Sequence, residues 1–81
     1  MNTNNYVKDI QEVIENGIPE EYGDAENWAI EKGAERLPWQ PEQAVIFCSD
    51  LINNQAELLE QFKQKTGFDL AEDLQNIIDM S

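Results

Sequence analysis

The stretch Pro41-Glu42-Gln43-Ala44-Val45-Ile46-Phe47-Cys48-Ser49-Asp50-Leu51-Ile52 admits two readings, and the choice between them sets the fold class. Ala44 to Cys48 is short, apolar and partly β-branched, as a buried strand is, whereas Ala44, Cys48, Leu51, Ile52, Leu59 and Phe62 are compatible with one helical face. A lone strand has nothing to pair with in this chain, so its backbone donors and acceptors would go unmet. The helical reading follows. Pro41 suits its first turn, where the missing N–H is one that a helix leaves unbonded. Downstream, Asn53-Asn54-Gln55 can interrupt the helix, because Asn54 and Glu57 have the spacing of a capping box. Residues 41–65 therefore form either one long helix or two shorter ones.

Toward the N-terminus, Tyr6, Ile10, Val13 and Ile14 recur at helical spacing between Thr3, a candidate N-cap, and the stop Asn16-Gly17, which predicts a helix over 4–16. Pro19 and Gly23 bracket a connection with one acidic turn, Glu20-Glu21-Tyr22. Asp24 caps a second predicted helix, 25–36. Its apolar positions, Ala25, Trp28, Ala29, Ile30, Ala34 and Leu37, do not fall on one narrow stripe, and Gly33 weakens it by about 1 kcal/mol relative to alanine. Leu37-Pro38-Trp39-Gln40-Pro41 is a break, since each proline pushes its predecessor out of helical geometry. Gly67 ends the central helical segment. Asp69 and Glu72 then open a last helix whose Leu70, Leu74, Ile77 and Ile78 form an apolar stripe. The expected fold is all-α, a compact bundle of four to five short helices in a single domain over residues 1–81.

A chain of 81 residues and 9.3 kDa is long enough for one core, although a protein this short buries only about 60–65% of its unfolded surface. Its 41% hydrophobic content is too high for the composition of a disordered acidic tail. Cys48 is the one cysteine, so no internal disulfide forms, in agreement with the cytoplasm of a bacterial host. Met1 to Asn5 lacks the basic flank and apolar stretch of a signal peptide, and the longest apolar run is far short of a membrane span.

General acid–base and nucleophilic catalysis near neutral pH lean on histidine, of which there is none, so Ser49 and Cys48 have no imidazole to activate them. The four glycines are scattered singly and build no phosphate-cradling loop, and zinc has no ligand set. Asp50-Leu51-Ile52-Asn53-Asn54 lacks the alternation and the glycine of a calcium loop. Ser49-Asp50-Leu51 is permuted relative to the Asp-Ser-Leu that carries phosphopantetheine in acyl carrier proteins, which the chain otherwise resembles only in size and acidity. The expectation is a protein that is not an enzyme, with no cofactor, no metal and no catalytic residue.

What remains is charge. Seventeen Asp and Glu against five Lys and Arg give a net charge of −12. Such a field opposes nucleic-acid phosphate and anionic lipid, whose binding draws on Lys and Arg. It attracts a basic surface instead. Between residues 9 and 35 stand Asp9, Glu12, Glu15, Glu20, Glu21, Asp24, Glu26, Glu31 and Glu35, with Lys32 the only cation inside that span. Carboxylates one helical turn apart are about 5–6 Å from each other, close to the spacing of phosphates along a strand. In size, acidity and helicity the chain is similar to phage and mobile-element inhibitors of the antirestriction and anti-CRISPR kind. That likeness implies a partner in the form of a basic nucleic-acid-binding protein or complex, with Glu20, Glu21, Asp24 and Glu26 as central contacts and Asp9, Glu12, Glu31 and Glu35 flanking them. The alternative is an antitoxin, immunity or adaptor protein that binds through aromatic anchors, Trp39 between its prolines and Tyr22 beside a glycine. Trp28 is assigned to the core. Repulsion between two anionic copies favours a monomer.

Overall fold

The structure, a computed structural model, describes residues 3–80; Met1 and Asn2, part of the polar N-terminus discussed above, and Ser81 lie outside it. Five α-helices follow one another: α1 (Asn4–Asn16), α2 (Ala25–Arg36), α3 (Pro41–Asn54), α4 (Ala56–Thr66) and α5 (Leu70–Asp79). A 3-10 turn, Glu20–Tyr22, lies between the first two. Among the described residues there is no strand, and the bundle is all-α as expected.

The apolar run of α3 is helical because of what its side chains do. Ala44, Phe47, Cys48 and Leu51 are buried at the helical interval, while Val45 is half-buried and Ile46 is 53% exposed. The two β-branched residues that give the run its strand-like look are thus the ones that turn away from the core. Residues 41–65 form two helices, with Gln55 shared between them: its N–H bonds the Leu51 carbonyl to close α3, and its carbonyl accepts the Leu59 N–H to open α4. The expected Asn54 cap is not made: Asn54 is still the last residue of α3, its amide N–H donating to the Asp50 carboxylate, and Gln55 takes the N-cap position of α4 without a side-chain bond. At the other end, Gly67 stops α4 in the left-handed region, φ 78°, where a side chain would be strained.

Caps fix the remaining boundaries. Asp24 is extended, φ −137° and ψ 174°, and accepts the Asn27 N–H at 2.8 Å; Asp69 accepts the Glu72 N–H at 3.1 Å. Thr3 stands at the N-cap position of α1 but makes no side-chain cap bond, since its ψ of 1° is not the extended geometry that aims a cap.

α3 packs chiefly on α5, and α1 on α4, around one cluster that includes Ile10, Leu51, Phe62, Leu70 and Leu74. Ring contacts tie four helices together. Tyr6 meets Phe47 at 6.0 Å and Trp28 at 6.3 Å, and Trp28 meets Phe62 at 5.1 Å between centroids. Trp28 is core, as the sequence suggested, and with Ala29 it is all that α2 buries fully. Helix α2 is consequently held on the outside of the bundle, against α1 and the 3-10 turn.

Candidate partner-binding surface

Pro19 sets an extended backbone before the 3-10 turn and Asp24 another after it, so Glu20 and Glu21 lie on that turn, Asp24 caps α2 and Glu26 stands in its first turn, with the 3-10 turn packed on α2. All four are exposed. Among the described residues none of the four is in an ion pair, and the positive end of the α2 macrodipole supports the charge of Asp24 and Glu26. Glu12 and Glu31 are likewise exposed and unpaired among the described residues.

Two flanking positions differ from expectation. Asp9 is not a free contact: its carboxylate, 13% exposed, accepts from Arg36 Nε at 2.7 Å and clamps α1 to α2. The bond and the field of Asp9 raise the Arg36 pKa. Glu35 is exposed but shared, 3.3 Å from Lys32 Nζ. Burial acts to lower the Lys32 pKa, yet its contacts with Tyr22 and Glu35 and the nearby Asp9 outweigh that, and the net shift is upward. Lys32 also sits 5.7 Å from the centroid of the Tyr22 ring. Tyr22 is therefore a half-buried wall of a cleft and not a projecting anchor.

That cleft, about 230 Å³, is lined by Asp9, Glu12, Glu21, Tyr22, Trp28 and Lys32 among others. It is smaller than the roughly 300 Å³ at which sites for drug-sized molecules begin. An open depression of about 430 Å³ on α3 is lined by Val45, Ile46, Ser49, Asp50 and Asn53, with Asp50 the one ionisable side chain among those described lining residues. Among the described residues no cluster of three or more His, Cys, Asp or Glu is arranged to hold a metal ion, and no helix is long and apolar enough to cross a membrane.

Three features escaped the sequence reading. The negative charge is not confined to residues 9–35: residues 1–36 carry nine carboxylates against Lys8, Lys32 and Arg36, and the rest carry eight against Lys63 and Lys65, an equal net charge in each part. The second half joins the first at Asp73, on α5, whose pKa is raised by burial and by the field of Glu26 on α2. Asp73 in turn adds to the burial that raises the Tyr6 hydroxyl pKa. The third is the exposure of further large apolar side chains, Ile30 at 63% and Met80 at 87%, beside Trp39, already a candidate anchor, at 93%. The scattered apolar positions of 25–36 were the signal for Ile30; Met80 had none.

Fold and surface together define a small all-α protein with an acidic exterior, a core closed to solvent and one projecting tryptophan. No protein-family model matches the chain, no curated protein matches it, and no solved structure matches it.

Proposed function

We propose that the protein is a non-enzymatic acidic binding protein that occupies a basic, nucleic-acid-binding surface of a partner protein or complex, in the manner of antirestriction and anti-CRISPR inhibitors. The observation that carries this reading is the set of exposed carboxylates Glu20, Glu21, Asp24 and Glu26 on the 3-10 turn and at the head of α2, none of them in an ion pair among the described residues. Like charges held this close cost stability, so their retention supports selection for a cationic counterpart. Glu12 and Glu31 extend the contact; Asp9 maintains the scaffold, and Glu35 contributes only by exchanging Lys32 for the partner. Capture from bacterial lysate, with wild type beside a Glu20→Lys, Glu21→Lys double variant, tests it. Nucleic-acid-binding proteins retained by the wild type and lost with the double variant are the expected result; identical capture by both sinks the reading.

A second reading is favoured by Trp39 alone. An indole 93% exposed, held between Pro38 and Pro41, has the form of an interface anchor of an antitoxin, immunity or adaptor protein. Loss of capture with Trp39→Ala, and none with the charge reversals, would select it.

A further inference from the structure

The outward line of α2 is apolar beyond the exposed Asn27 of its first turn. With Trp28, Ala29, Lys32 and Arg36 turned toward the bundle, helical geometry sets Ile30 and Ala34, one turn apart, on the opposite face, and both are exposed. Glu26 borders that line on one side, and Glu31 and Glu35 border it on the other. Trp39 projects from the segment that leaves the same helix. An apolar stripe between two carboxylate edges has a specific complement. We infer that α2 is the docking face for a basic amphipathic helix of the partner, one whose apolar stripe covers Ile30 and Ala34, packs against Trp39, and is flanked by Lys or Arg facing Glu26 and Glu31.

The inference rests on the cationic partner proposed above and specifies its form. A groove lined only with Lys and Arg would satisfy the carboxylates but leave Ile30 and Trp39 unmatched. A second copy of this chain would match the apolar residues but set Glu26 and Glu31 against their own kind. Only a helix carrying both features answers both, and α2, at 12 residues, offers it about 18 Å of length.

Two synthetic peptides of about 18 residues, long enough to form a helix, test it. One has leucines on one face flanked by lysines, and the other has the same composition scrambled so that no stripe forms. Binding at about 0.15 M salt is read by titration and by the emission of Trp39, with Trp39→Phe as the spectral blank. The patterned peptide should bind about tenfold more tightly than the scrambled one, shift Trp39 emission to the blue, and lose that advantage on Ile30→Ser. Ile30 is mostly exposed, so this variant keeps its core. Equal binding of both peptides, unaffected by Ile30→Ser, overturns the helix while leaving the cationic partner intact. Failure of both peptides to bind also overturns the helix, and the cationic partner itself stands or falls with the lysate capture of wild type against the Glu20→Lys, Glu21→Lys variant. A dimer of the free protein that Ile30→Ser converts to monomer assigns the stripe to a second copy and overturns the inference.

Discussion

Single residues carry charge states and conformations with measurable consequences. Cys48 is fully buried, and burial, reinforced by Asp73, pushes its thiol up to about 11, so little thiolate exists at neutral pH. A thiol reagent at pH 8 should leave native protein unmodified and label it stoichiometrically in denaturant; fast native labelling would contradict the burial. For Asp73 the folded-state pKa is raised, so the native state holds this proton more tightly than the unfolded chain does. Its stabilising contribution is complete below the ordinary value of 3.8 and is lost as pH rises through the raised folded value. Asp73→Asn should therefore be more stable than wild type at neutral pH, with the difference disappearing on acidification, as denaturant titrations at several pH values would reveal. Gly33 needs no positive φ, and a Cβ there would meet only the end of the Leu37 side chain at 3.4 Å. Gly33→Ala should stabilise α2 by about 0.5–1 kcal/mol and raise Tm by about 2–8 °C in a thermal scan.

At the scale of elements, side-chain caps separate helices that are fixed locally from those fixed by packing. Asp24→Ala should cost about 0.5–2 kcal/mol, because the Asn27 N–H loses its acceptor; Thr3→Ala, at a cap position with no side-chain bond, should stay within about 0.5 kcal/mol. Equal losses in denaturant melts of the two variants would contradict the cap geometry. The same distinction explains what was legible in the sequence. The limits of α1, α2 and α5 could be read from Asp24, Asp69, Gly17 and the prolines, because these signals act within one turn. The break at Gln55 was open to two readings because neither Asn54 nor Gln55 marks it with a side-chain cap bond. Nothing local announces the Asp9–Arg36 clamp, which spans 27 positions, so Asp9 read as one more surface carboxylate. Trp39 was ambiguous for a similar reason, since burial of a loop aromatic depends on which helices cross it. The irregular apolar pattern of α2 was visible from the start; that Ile30 and Ala34 form an outward line became clear only once Trp28 and Arg36 showed which side faces the bundle.

For the whole molecule the governing quantity is a net charge of −12 on a body of 32 × 24 × 21 Å. Carboxylates one helical turn apart, such as Glu31 and Glu35, are about 5–6 Å from each other at Cβ, inside the screening length of about 8 Å at physiological salt. Added salt should accordingly raise Tm of the free protein by relieving self-repulsion, while weakening its hold on a cationic partner. Opposite responses to one variable are hard to obtain from an apolar interface alone. The most direct test is the dissociation constant of the partner captured from lysate, measured by titration from about 0.05 to about 0.5 M salt with wild type and the Glu20→Lys, Glu21→Lys variant. Electrostatic docking requires the wild-type affinity to fall by about tenfold or more across that range, and the variant to start weaker and fall less. An affinity that stays level with salt, and is the same in both proteins, would contradict a surface built for a basic partner.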